Sequence, residues 1–357
     1  MPTTEVPKGE RTRRARDAHD QMGSGAGSDW RTVRGGTGDR TSLDSGWRPL
    51  SGGALLERLR VTGRPRPPVT PSLVADLQSL LGSGIGDLHS EVDGGRLVIT
   101  KDRLTRALSC PVHRTADRLG ERNFSVPLAC GALVDVLFRQ VVTTGAVGEP
   151  MAEALDGLAL DGHQASLVTW ISEMAPADLA ELTSEVDRQT VRLVERWPAL
   201  EASWLPRTQE SIRVALAGTL VELSARVDLA IGRPAEDEAS VAIVEVKSGS
   251  RRPAHRDELR FYALVEALRS QAPPFAVAAY YTRTGELDVE PVTHDLLVEA
   301  ARRCLAGIRA LAGVADNSVT DGTWCAACAA LPRATTVARP PGVDDTTVVA
   351  YPHGQAA

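Results

Sequence analysis

The segments TLVELSARVDLAIG (219–232) and SVAIVEVKSG (240–249) decide the fold of this chain. Each is a short apolar run rich in β-branched residues and bounded by turn residues, which predicts two adjacent β-strands. Because side chains alternate along a strand, Glu245 and Lys247 project from one face of the second strand, while its valines face the core. Asp228 projects from the first strand amid apolar neighbours. The two strands therefore bring two carboxylates and an ammonium group to the same part of a sheet.

These three side chains need partners, because burying a charge is costly unless the charge is paired or binds a metal ion. One interpretation is a salt bridge of Lys247 with Glu245 or Asp228 at the sheet edge, which would be preferred for an isolated Glu-x-Lys. Here Asp228, a turn, Glu-Val-Lys, a glycine and the amphipathic helix HRDELRFYALVEALRS (255–270) follow in that order. This order favours a metal site over a salt bridge.

Lysine is rare in this chain: of the 40 basic residues, three are lysines, Lys8, Lys101 and Lys247. Arginine carries the positive charge elsewhere, and its wide fork cannot replace a compact ammonium at a crowded site. Lys247 is therefore more informative than a lysine in an average chain. The net charge of −6 argues against a uniformly basic nucleic-acid coat, but it is compatible with an acidic metal site beside a local basic surface.

Composition and periodicity predict four regions: a disordered low-complexity tail (1–50), a mainly helical region that packs on the core (51–205), the core itself (206–335) and a flexible tail (336–357). The core shows strands and helices in the order β-β-β-α-β-β-α. The predicted fold class is α/β, a mixed sheet flanked by helices, with a helical N-terminal half. No apolar run approaches the roughly 20 residues of a membrane span and no secretory signal is evident, so we expect a cytoplasmic protein without membrane contact.

The motifs of the core resemble the PD-(D/E)XK nuclease superfamily, and within it the RecB-like branch that includes CRISPR-associated adaptation exonucleases. The family's pattern is an Asp-bearing strand, then (D/E)-x-K-(S/T)-G, then Q-x-x-x-Y on a helix. ARVDL, EVKSG and Glu258 to Tyr262 are similar to it. Two positions depart, because Ala225 stands where glycine is usual and Glu258 replaces the glutamine. The resemblance implies a restriction-endonuclease-like core.

The resemblance also implies the roles of the site residues. Asp228, Glu245 and the Val246 carbonyl would hold Mg²⁺ or Mn²⁺, and Lys247 would orient or deprotonate the attacking water and stabilise charge on the phosphate. Two residues on the following helix, Glu258 and Tyr262, would face the same site, although Tyr262 could equally be a core residue. The loop after EVKSG would form a basic lip for DNA through Arg251, Arg252 and His255.

A further metal ligand is implied upstream, where these nucleases carry G-x-x-x-H on a helix. The apolar run VPLACGALVDVLFRQVV (126–142) predicts such a helix, with Gly131 at the glycine position and Asp135 at the histidine position. An aspartate suits Mg²⁺ or Mn²⁺, which prefer oxygen donors. Asp135 is therefore a candidate ligand, and a decayed site is the alternative.

Some members of the family hold an iron–sulfur cluster through one cysteine before the core and C-x-x-C-x(5)-C after it. Cys110, Cys325 and Cys328 match three of these positions, and Ala334 occupies the fourth. Because each cluster iron normally needs its thiolate, a lost cluster is favoured over a zinc site or a three-cysteine cluster. Cys130 and Cys304 are predicted to be core residues.

Two functions remain. The first is a metal-dependent DNA nuclease, expected to be exonuclease-like and to act in repair, recombination or phage defence. The second is a catalytically weakened DNA-binding or scaffolding subunit, with a helicase or another defence or repair subunit as partner. The intact Asp228, Glu245 and Lys247 favour the first, whereas the changes at Asp135, Glu258 and Ala334 favour the second. A GTPase or kinase is set aside because the chain has no phosphate-binding glycine motif.

Overall fold

A mixed six-stranded sheet lies at the centre of the described part of the chain. The computed structural model describes residues 57–59, 70, 72–86, 96–109, 124–216, 218–234 and 241–312. Both predicted tails lie outside these residues, and the boundaries at 205 and 335 stay predictions.

The strands of this sheet are β1 (Leu97–Ile99), β2 (Arg207–Ala215), β3 (Val221–Gly232), β4 (Val241–Lys247), β5 (Ala276–Tyr281) and β6 (Glu286–Pro291). Their order is β1-β3-β4-β5-β6, with β2 also paired to β3. Two pairs, β1 with β3 and β4 with β5, are parallel, and the others are antiparallel. The strands from β2 onward confirm the predicted order of the core, and β1 joins the sheet from the region predicted to be mainly helical.

The described α-helices are α1 (Leu73–Ile85), α2 (Lys101–Ser109), α3 (Val126–Thr144), α4 (Pro150–Leu160), α5 (Ala165–Ser172), α6 (Pro176–Arg196), α7 (Pro253–Ser270) and α8 (His294–Leu311). One face of the sheet packs against α1, α2, α7 and α8. The other face packs against α3 and α6, which in turn pack against α4 and α5. The predicted fold class, a mixed sheet flanked by helices, is therefore confirmed.

Helix α3 carries Asp135 into the interior and has strong signals at both ends. The Ser125 hydroxyl accepts a hydrogen bond from the Leu128 amide, and the helix ends at Gly145, whose positive φ of 76° suits glycine. In length and hydropathy α3 would also suit a membrane span, a test that buried helices of globular proteins pass as well. Eight of its residues are buried, so its apolar character is accounted for by core packing.

Two strands end facing each other along one edge of β3, and this arrangement positions the site. The opposite edge of β3 is occupied by β2. On the near edge, β1 pairs with residues 221–223 and runs forward, while β4 pairs with residues 229–232 and runs backward. The chain that leaves β1 and the end of β4 therefore converge beside the stretch of β3 that contains Asp228.

Candidate active site

A cleft of about 520 Å³ opens where these strands converge, between β3, α2 and α3. It is lined by Asp135, Asp228 and Tyr262, which were predicted as site residues, and by Lys101 and Gln209, which were not. Glu245 at the end of β4 and Glu258 at the start of α7 contact Lys101, and Lys247 donates hydrogen bonds to both glutamates. The structure thus brings together the side chains that the motifs indicated.

Glu245 is the most enclosed of the charged groups, being 2% exposed. Its Oε1 accepts hydrogen bonds from the ammonium groups of Lys101 and Lys247, the latter at 3.2 Å, and lies 3.4 Å from the Tyr262 hydroxyl. Its Oε2 is buried and has no hydrogen-bond partner among the described residues. One oxygen of this carboxylate thus has several hydrogen-bond donors, whereas the other would be satisfied by a further positive group.

The charges on Glu245 and Lys247 support each other. Burial alone would raise the pKa of Glu245, but Lys101 and Lys247 outweigh it and lower that pKa. Burial alone would lower the pKa of Lys247, but Glu245 and Glu258 outweigh burial and the repulsion from Lys101, and raise it. Lys247 Nζ donates to Glu258 Oε2 at 2.6 Å. Both members of the pair are therefore ionised at neutral pH.

The pKa values of Asp228 and Asp135 shift in the opposite direction to that of Glu245. Burial, Glu245 and Asp135 raise the pKa of Asp228 well above its ordinary value, although its Oδ2 accepts the Val246 N–H at 2.8 Å. Burial also raises the pKa of Asp135, against the attraction of Arg139, whose Nη2 lies 3.6 Å from Asp135 Oδ2. These two carboxylates are short of positive charge, which is the condition that a bound cation relieves.

Gln209 links the two aspartates and was missed by the sequence analysis. Its Nε2 lies 2.9 and 3.2 Å from the two oxygens of Asp135 and 3.4 Å from Asp228 Oδ1. Gln209 stands opposite Asp228 in the register of β2 and β3, but its φ of 55° interrupts the pairing there. A non-glycine residue with positive φ is costly and is found preferentially at functional sites. No sequence signal marks this conformation.

Lys101 was also not predicted as a site residue, although the scarcity of lysine in this chain had been noted. It follows β1 directly, and its Nζ contacts Glu245 Oε1, lies 3.8 Å from Glu258 Oε2 and sits 5.3 Å from the centre of the Tyr262 ring. Burial lowers its pKa, yet Glu245, Tyr262 and Asp228 raise it well above the ordinary value. The argument from lysine rarity that singled out Lys247 applies equally to Lys101.

The remaining polar candidates from the sequence are Tyr262 and the residues of the expected basic lip. Tyr262 is 1% exposed and belongs both to the core and to the site through its hydroxyl. The expected lip residues Arg251, Arg252 and His255 do not line the cleft; Arg251 and Arg252 border a separate cavity beside Tyr281, and His255 lies within hydrogen-bond distance of the Tyr281 hydroxyl. The cleft instead presents the arginines Arg103, Arg106, Arg139 and Arg226.

Two of the five cysteines lie in the described part of the chain. Cys130 and Cys304 are buried and free, as predicted, and burial raises their pKa values to about 11 and about 12. The candidate cluster ligands Cys110, Cys325 and Cys328, together with Ala334, lie outside the described residues.

The donor set fits a hard divalent cation in part. Within the described ranges, no group of three or more His, Cys, Asp or Glu side chains is arranged to hold a metal ion. However, Asp228 and Glu245 offer carboxylate oxygens, the donors that Mg²⁺ and Mn²⁺ prefer. The buried, unpartnered Oε2 of Glu245 is an oxygen that such an ion would satisfy.

Comparison with known proteins adds an independent finding. The profile of the PD-(D/E)XK nuclease superfamily matches residues 102–333. Among solved structures, the crystal structure of SSO0001 is similar at 14% identity, with 65% of this chain and 85% of that chain covered and a TM-score of 0.26. No curated protein matches the chain. The profile match spans β3, β4 and α7, the elements that carry Asp228, Glu245, Lys247 and Glu258.

Proposed function

Since the chain belongs to the PD-(D/E)XK nuclease superfamily, we propose that it is a deoxyribonuclease that hydrolyses phosphodiester bonds with Mg²⁺ or Mn²⁺. Members of this superfamily generally use divalent metals. The cleft that contains Asp228 is the proposed reaction site.

The observation that carries this proposal is the state of the Glu245 carboxylate. Its Oε1 is held by two ammonium groups, whereas its Oε2 is buried without a partner in the described structure. Asp228 contributes a second carboxylate that is short of positive charge. Asp228, Glu245 and the Val246 carbonyl would hold the cation, with Asp135 as a further ligand once Gln209 gives way. When bound, the cation activates water and offsets charge on the phosphate.

Lys247 acts in this proposal as a fixed positive charge. Glu245 and Glu258 raise the pKa of Lys247 against the effect of burial and thereby favour its ammonium form. Its ammonium donates to Glu245 and Glu258, which hold it in place. A donor positioned in this way stabilises the charge that develops on the phosphate oxygens and orients the attacking water.

The arginines of the cleft would hold the DNA backbone. Arg139 and Arg226 flank the aspartates, where each balances a local acidic residue: Arg139 lies beside Asp135, and Arg226 lies 3.5 Å from Asp161. Guanidinium groups at such positions bind phosphate oxygens and set the register of a strand without reading its sequence.

A second candidate function is a DNA-binding or scaffolding subunit with a weakened site. The observation that favours it is that the carboxylates already have internal partners, since Lys101 contacts Glu245 and the Gln209 amide lies between Asp135 and Asp228. Exonuclease-like cleavage is a proposal that belongs to the first function alone. Four proposals accompany either function: membership of the RecB-like branch, a role in repair, recombination or phage defence, a helicase partner and a cytoplasmic location.

Cleavage of labelled single-stranded DNA, duplex DNA and RNA, with Mg²⁺, Mn²⁺ or EDTA, tests the proposal. Wild type should cleave DNA with either metal and not with EDTA, whereas Lys247→Ala should lose at least about a hundredfold in rate. Equal cleavage by both proteins, or none by either with DNA retained, would reject catalysis and favour the second function. Cleavage of RNA alone would reject the assignment to DNA.

A further inference from the structure

Lys101 lies inside the proposed metal site, yet none of the family motifs includes it. Its ammonium contacts Glu245 Oε1, and Glu258 Oε2 lies 3.8 Å away. With Lys247, it gives Glu245 two cationic partners, while Glu245 Oε2 has none in the described part of the protein. Its side chain is 23% exposed and lines the cleft, so it borders the space that a cation would enter.

Its position is not explained by local structure. Lys101 is the first residue of α2, where the helix dipole disfavours a positive charge. Asp102 in the same turn is favourably placed, whereas Lys101 is not. In a chain that uses arginine for nearly all positive charge, a lysine at an unfavourable helix start that reaches a glutamate 144 residues away indicates a role in the site.

We propose that Lys101 is a positioning residue that acts as an internal counter-cation: it holds Glu245 through Oε1, directs Oε2 towards the metal ion, and lowers the affinity of the site for that ion. This inference rests on the proposed metal-dependent nuclease function. Lys101 thereby stabilises the protein without metal and makes metal binding weaker and more readily reversible.

The direction of its effect on metal affinity distinguishes this role from a merely structural one. Removing a unit charge about 5 Å from a divalent ion tightens binding by roughly tenfold even with the full screening of water. A residue that only supports the local structure would have the opposite effect, because its loss would disorder the ligands and weaken binding. Lys101→Met should therefore bind the metal more tightly and be less stable without it.

The full chain offers a matched control for this substitution. Glu222 is a second buried glutamate with two cationic partners, Arg96 at 2.5 Å and Arg213 at 3.4 Å. It lies six residues before Asp228 on β3, about 20 Å away along the strand. Arg96→Met thus removes one of two cations from a buried glutamate outside the cleft, and it should destabilise the protein without changing metal affinity.

Isothermal titration with Mn²⁺, after EDTA treatment and dialysis, tests the inference on wild type, Lys101→Met, Lys101→Arg and Arg96→Met. We expect Lys101→Met to bind at least about tenfold more tightly than wild type and Arg96→Met to bind like wild type, with folding checked by circular dichroism. Lys101→Arg keeps the positive charge and should therefore not bind more tightly than wild type. Equal or weaker binding by a folded Lys101→Met would overturn the inference and leave the proposed function intact. An absence of Mn²⁺ binding in all four proteins would overturn both. If Lys101→Met does not fold, Lys101→Gln replaces it with the same expected direction.

Discussion

Neutralising Asp228 and neutralising Glu245 should change the stability of the protein in opposite directions. Both carboxylates belong to one site, and replacement by the corresponding amide preserves their shape. The pKa of Asp228 is raised by burial, Glu245 and Asp135, so its folded form keeps a proton to higher pH than the unfolded chain. Its charge therefore opposes folding, and this cost grows as the pH rises through the folded pKa. Asp228→Asn removes the cost and can still accept the Val246 N–H.

The charge on Glu245 has the opposite effect on stability. Although burial raises its pKa, Lys101 and Lys247 lower it further, so its charge contributes stability that is present above the unfolded pKa and lost as the pH falls through the folded one. Removing one member of a buried ion pair costs about 3–5 kcal/mol, and Glu258 still supports Lys247. We therefore expect Glu245→Gln to lose about 3 kcal/mol and Asp228→Asn to gain about 1 kcal/mol at pH 7.

Urea denaturation in EDTA, followed by tryptophan fluorescence at pH 7 and pH 4, measures both effects. At pH 4 the advantage of Asp228→Asn should shrink, because the wild-type aspartic acid is then largely protonated. A loss of more than about 1 kcal/mol in Asp228→Asn, or the same sign for both variants at pH 7, would refute the electrostatic account of the site.

Three further substitutions test single contacts. Tyr262→Phe should reduce stability by less than about 1 kcal/mol and keep the cleavage rate within about tenfold. The reason is that the hydroxyl is buried and lies 3.4 Å from Glu245. A loss of cleavage rate beyond about a hundredfold would indicate that Tyr262 contacts the substrate. Gln209→Glu puts a carboxylate between two others, so it should lower the melting temperature in EDTA and enlarge the increase in melting temperature on adding Mn²⁺. The same increase as in wild type would contradict this prediction. Arg226→Ala should weaken DNA binding and reduce the slope of log affinity against log salt by about 1, because Arg226 lines the cleft. Fluorescence anisotropy measures both quantities, with substitution of the exposed Arg302 by alanine as the control. An unchanged slope would show that Arg226 does not contact the DNA backbone.

Most of the fold could be predicted because its signals are local. The apolar run at 240–249 contains β4, and the strands and helices of the core follow in the predicted order. The alternation that placed Glu245 and Lys247 on one face of their strand holds, since their charged atoms are 3.2 Å apart. Each of these features depends on residues that are neighbours in the chain, so periodicity and turn chemistry were sufficient.

The site could be predicted only in part, because two of its members depend on topology and on backbone strain. Lys101 reaches Glu245 only because β1 is parallel to β3 and ends where β4 ends, and this register was not visible in the sequence. Gln209 depends on a positive φ that glutamine rarely adopts. The expected basic lip stays a prediction, because Arg251 and Arg252 border a cavity separate from the cleft.

Two of the departures from the family pattern, those at Asp135 and Glu258, change the charge around the site. Asp135 in place of histidine and Glu258 in place of glutamine each add a negative group. Each also has a cationic partner: Arg139 lies 3.6 Å from Asp135, and Glu258 lies 2.6 Å from Lys247 and 3.8 Å from Lys101. Arg139 does not fully offset the burial of Asp135, whose pKa stays raised, and Lys247 belongs to the family pattern itself. A bound cation would supply the positive charge that Asp135 still lacks, and Lys101 adds positive charge near Glu258.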